Sequence, residues 1–159
     1  SIGVPIKRHQ AAIIDALIML AGSIYIVWVA DNFFYPFQGF LITLGVPVAV
    51  WSAIFVADVI MRKKAYIEKD LYDAHGMYGS INKGSIALML VGTIVGWGFV
   101  TNTFASWLSW QGYFLGAIGG KEGLWAFANV GVIFALIIGF VGHILLSFRK
   151  IRAQENALS

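Results

Sequence analysis

Three ionisable residues lie inside long apolar stretches of this 159-residue chain: Asp15, Asp58 and His143. A charge in such a stretch is costly unless it is paired or wetted, so these are the first places to look for chemistry. Asp58 has Arg62 four residues on, which puts both on one helix face and predicts an ion pair at the end of that helix. Asp15 is open to two readings, a partner for the basic Lys7 and Arg8 or a proton-coupling group. An imidazole changes charge between about pH 5 and 8, and His143, near Arg149, also suits hydrogen bonding at a helix end. No catalytic set assembles from these residues. The histidines His9, His75 and His143 have no ligand spacing, so no metal site is expected. No Walker loop, GxSxG elbow or HExxH occurs, and an enzyme is not expected. Without cysteine there is no disulfide, thiolate metal site or thiol nucleophile.

The elements that hold these residues follow from composition. Hydrophobic residues make up 59% of the chain and charged ones 12%, against about 45–50% and about 25% in a soluble domain. That leaves too little polar surface to cover the chain in water. With 15% aromatics and three prolines, disordered and collagen-like readings are excluded too. The expected class is an all-α integral membrane protein. Crossing the hydrocarbon takes about 20 mainly apolar residues, and four runs qualify, at 11–30, 33–61, 86–104 and 124–148. Each is continuously apolar, as a helix requires and an alternating barrel strand does not. The first run is followed by Asp31 and Asn32, a tight turn, and not by a small-residue cleavage site. Pro47 falls mid-run and predicts a kink in the second helix.

Ten of the eleven Lys and Arg fall on one side of these four spans, with Lys121 alone opposite. The positive-inside rule makes the crowded side cytoplasmic, with both ends of this segment there. The net charge of +3 is therefore a topology signal, and nucleic acid is not an expected partner. The loop 62–85 is then cytoplasmic. Its Tyr66, Leu71, Tyr72 and Tyr78 predict a compact connector, and Glu68, Asp70 and Asp73 are suited to pair with the basic cluster beside them. The segment 105–123, with Trp107, Trp110 and Tyr113, reads as interfacial or partly re-entrant. Gly92 with Gly96, and Gly131, Ala135 and Gly139, form small-residue faces that let helices approach closely.

At 57–82 the residues take on a recognisable pattern. Ala57 and Asp58, then Arg62, Lys63, Lys64, Tyr66, Leu71, Tyr72, Asp73, Gly76, Tyr78 and Asn82 resemble a stretch near the end of the nucleobase–cation symporter family, which includes purine, cytosine, allantoin and hydantoin permeases. Val59 stands where that family usually has an aromatic, and Lys83 where tryptophan is common. The resemblance implies a leucine-transporter-like fold of about twelve helices, most of them in two inverted repeats. The four spans would be its last four, so the chain is expected to be the C-terminal portion of a longer transporter in the plasma (inner) membrane. It implies alternating access, a small heterocyclic substrate, and sodium or proton coupling, with substrate and ion held mainly outside this segment and no further cofactor. The expected partners are the lipid bilayer and the remainder of the same chain. The family's tenth helix bends in its outer half, and its counterpart here carries Pro36, Phe37, Gln38, Gly39, Phe40 and Leu41. These suit an outer gate with a hinge, or ordinary aromatic packing at the interface. The alternative for the whole chain is a complete four-helix membrane subunit with a structural or assembly role.

Overall fold

The structure, a computed structural model, describes residues 8–28, 32–73, 75–79 and 81–157, without the side chains of Arg8 and Ile26. Lys7 and Asp31, which bear on the basic pair and the tight turn, lie outside the described residues. The helices are α1 (Arg8–Trp28), α2 (Phe34–Met61), α3 (Glu68–Leu71), α4 (Lys83–Gly98), α5 (Tyr113–Ala117) and α6 (Val130–Asn156), with 3-10 turns at Ser106–Leu108 and Leu124–Phe127. Among the described residues there is no strand, and the fold is all-α. Two helices, α2 with 28 residues and α6 with 27, are long and apolar enough to cross a membrane. Of the other two expected spans, α1 has 21 residues, whereas α4, with 16 residues, extends only about 24 Å.

Local chemistry sets these bounds. Asn82 caps α4 earlier than expected, its Oδ1 accepting from Gly84 N (3.1 Å) and Ser85 N (3.4 Å). The same helix stops at Gly98, where the Phe99 amide closes on the Gly96 carbonyl (3.1 Å), and not at position 104. The fourth run does not begin as an α-helix at 124. Leu124–Phe127 is a 3-10 turn, and Asn129 takes a left-handed conformation (φ 47°) before α6 starts at Val130. At its other end α6 continues past position 148 to Asn156. Pro36 sits in the first turn of α2, where no intrahelical donor is lost, and the helix is continuous through Pro47.

The chain divides into two compact units, 1–38 and 39–159. In the first, Asn32 Oδ1 accepts from Phe34 N (2.8 Å), and the Phe33 and Phe37 rings stack at 5.0 Å. Leu17, Ile18 and Met19 of α1 are exposed.

In the second unit α2, α4 and α6 meet through small residues. α6 buries Gly131, Ala135, Gly139, His143, Ser147 and Ile151, one residue every four, which is a single helical stripe. Opposite it stand Gly92 and Gly96 of α4 and Val46, Val50, Ala53 and Ala57 of α2. A Cβ added at Gly92 would lie 2.8 Å from Val50 Cγ2, and one at Gly139 would lie 2.7 Å from the Val50 carbonyl oxygen. Only glycine permits such approach. The outward stripe of α2 is large and apolar, with Phe40, Leu44, Val48, Trp51, Phe55 and Val59 all exposed. So wide an apolar face suits lipid or protein and not water, which fits a membrane-associated protein.

Candidate functional site

The densest polar cluster is built where α2 ends. One oxygen of Asp58, Oδ2, accepts from Arg62 Nε (2.8 Å) and from the Tyr66 hydroxyl. The other, Oδ1, lies 3.1 Å from Nε2 of His143 on α6. His143 is only 2% exposed. Arg62 and Asp58, expected as a pair, are thus together, and His143 joins them from 85 residues away.

From this pair the contacts spread along the connector. Arg62 Nη2 donates to Gln154 Oε1 (3.1 Å), and Gln154 Nε2 donates to the Met77 carbonyl (2.9 Å). Glu155 accepts from the Lys63 amide and from the Lys64 amide (3.2 Å), and Lys64 Nζ reaches the Glu155 carbonyl (3.2 Å). The Arg62 guanidinium lies 4.9 Å from the centre of the Tyr66 ring and 5.0 Å from that of Tyr78, a cation–π arrangement on both. The Tyr78 hydroxyl accepts from the Ile67 amide (3.1 Å). At Gly76 a Cβ would lie 2.8 Å from the Asp70 carbonyl oxygen, so the turn there needs glycine. The result is a clasp: the tail of α6, beyond position 148, locks the connector against the end of α2.

Burial, and then the hydrogen bond to Asp58, pushes the Tyr66 phenol from 10.0 up to about 12. The neutral phenol is therefore the form the fold favours. Its contribution is fully present below pH 10 and is lost as pH rises through about 12. Ultraviolet titration of wild type minus Tyr66→Phe is expected to show a phenolate midpoint near 12; a midpoint near 10, the ordinary tyrosine value, would remove Tyr66 from the clasp.

A second polar cluster pins the segment between α4 and α6. Thr43 of α2 is its centre. Gln111 Nε2 donates to Thr43 Oγ1 (2.8 Å), Trp97 Nε1 to the Thr43 carbonyl (2.8 Å), and Asn102 Nδ2 to the Gly39 carbonyl (2.8 Å). Gln111 is fully buried and Asn102 is 2% exposed. The Trp97 and Trp110 rings meet edge to face at 5.4 Å. The segment expected at 105–123 thus holds two short helical pieces, Ser106–Leu108 and Tyr113–Ala117, folded back onto α2 and α4.

The chain matches no family model, no curated protein and no solved structure.

Of the six residues expected at an outer gate, Pro36, Phe37 and Gln38 belong to the first unit and Gly39, Phe40 and Leu41 to the second. Gly39 is buried, and a Cβ there would lie 3.0 Å from Asn102 Oδ1 and from Leu108 Cδ1. Phe40 and Leu41 are exposed. Sequence reasoning missed Gln154 and Glu155, which hold the connector, and Thr43, Asn102 and Gln111. The signal for the last three is simple: they are lone polar residues in apolar surroundings, and buried polar groups need partners. Chemically, the lone pairs of Asp58 are taken up by an imidazole, a guanidinium and a phenol. That arrangement ties α2, α6 and the connector together.

Proposed function

We propose that this chain is the C-terminal portion of a cation-coupled symporter for purine and pyrimidine nucleobases or related heterocycles, a member of the nucleobase–cation symporter family. One observation carries the reading. Many of the residues in which the resemblance resides also build the clasp: Asp58, Arg62, Tyr66 and Tyr78 bond within it, Gly76 makes its turn, and Asn82 caps the helix that follows. That part of the pattern fastens the connector.

In this reading α1, α2, α4 and α6 are four spans of the plasma membrane. The clasp lies in the cytoplasm with both ends of the segment, and the cluster around Thr43 lies toward the outside. α4, too short alone, reaches its full depth with the chain that follows Gly98. Substrate and coupling sodium or proton are bound mainly by the rest of the transporter. The clasp fixes the inner end of α2, while Pro36, Phe37, Gln38, Gly39, Phe40 and Leu41 supply the outer gate.

Uptake of radiolabelled purine and pyrimidine bases by cells expressing the full gene product tests this. Saturable uptake that disappears when the sodium and proton gradients are collapsed is expected. A correctly inserted protein that takes up no heterocycle and co-purifies with a fixed partner complex would instead mark an assembly subunit.

A further inference from the structure

We infer that His143, with Asp58, forms a proton-binding site that sets how firmly the clasp holds the connector. The inference goes beyond transport and needs no particular solute.

Hydrogen-bond geometry places the first proton. An ionised carboxylate only accepts, so Nε2 of His143, 3.1 Å from Asp58 Oδ1, carries hydrogen in both charge states. The second proton goes to Nδ1, which faces Ser147 Oγ (3.4 Å) and Ser85 Oγ (3.5 Å). A hydroxyl donates to a bare ring nitrogen and accepts from a protonated one. The Nδ1 side of the ring therefore accommodates either state by rotating two hydroxyl hydrogens.

A cavity beside the site can admit water. A cavity of about 300 Å³ is lined by Asp58, Asn82, Ser85 and His143, with Trp51 and Phe55 among its apolar walls. At about 30 Å³ for each water it has room for several, and its polar wall gives them partners. His143 is thus buried among protein atoms and yet lines a cavity with room for water.

Charge decides the consequence. The groups facing His143 are Asp58 from α2, Ser85 from α4 and Ser147 from its own helix. Arg62 and Tyr66 stand behind Asp58, the Arg62 guanidinium lies over Tyr66 and Tyr78, and Glu155 with Lys63 and Lys64 comes next along the connector. With a neutral imidazole, Asp58 and Arg62 cancel. A second proton on His143 makes imidazolium and guanidinium compete for one carboxylate and leaves an excess positive charge where solvent screening is weak. Arg62 then gives up part of its hold on Asp58, and the connector it anchors through Gln154 and Met77 loosens. Acidification opens the clasp.

Hydrogen–deuterium exchange of the full gene product in lipid nanodiscs tests this between about pH 5 and 8, the interval in which imidazole titrates. After correction for intrinsic exchange, amides of 62–78 are expected to exchange about tenfold faster at the acid end, as loss of one charge-assisted hydrogen bond gives. In His143→Gln, whose amide still donates to Asp58 but takes no proton, the exchange should be independent of pH. A flat wild type, or the same pH response in His143→Gln, overturns the inference. Nitrogen-15 spectra of histidine-labelled wild type need no variant: a His143 ring that stays singly protonated throughout the interval overturns it too.

Discussion

Gly131→Ala is expected to cost about 3 kcal/mol or more, the upper end for overpacking a fitted core. The added Cβ would fall on the Gly96 carbonyl oxygen, a backbone atom, and against Val100. Neither has a flexible end to swing away, so α4 and α6 must separate along their whole contact. Gly45→Ala is the control. It lies in α2, with nothing within 4 Å of its added Cβ, and it should be neutral or stabilising by up to about 1 kcal/mol. Denaturant titration of the full gene product in bicelles reads both. A Gly131→Ala protein as stable as Gly45→Ala would contradict the close meeting of α4 and α6.

Asp58→Ala removes the common acceptor of three side chains. Arg62, Tyr66 and the 2%-exposed His143 lose their partner together. Breaking a buried pair from one side costs about 3–5 kcal/mol; with the Asp58 side chain 21% exposed, about 3 kcal/mol is the expectation. The connector should also become a protease site, since Arg62, Lys63 and Lys64 are no longer held in place. Trypsin is expected to cut there far faster in Asp58→Ala than in wild type. Equal trypsin rates in wild type and Asp58→Ala would mean that Asp58 does not anchor the connector.

The periodic features were the ones legible in the sequence. Small residues four apart at Gly131, Ala135 and Gly139, and at Gly92 and Gly96, name the faces that pack, because helical spacing is a local property. Arg62 four residues after Asp58 is local in the same way. Helix ends were less legible. Nothing in a run of apolar residues announces that Asn129 turns left-handed or that Gly98 stops α4, since both are settled by what the chain meets in space. The partnership of Asp58 with His143 spans 85 positions, and that of Arg62 with Gln154 spans 92. No spacing rule reaches so far. The same holds for Gln111, whose partner Thr43 lies 68 residues back.

The most direct test of a four-span membrane segment uses the absence of cysteine in these 159 residues. Single cysteines placed at Lys69, Lys121 and Ala153 would be probed with a membrane-impermeant maleimide in intact cells. Labelling at position 121 alone is expected, with 69 and 153 reacting only after the membrane is opened. Equal labelling of 69 and 121 from one side would contradict the account, because the clasp and the cluster around Thr43 would then share a compartment.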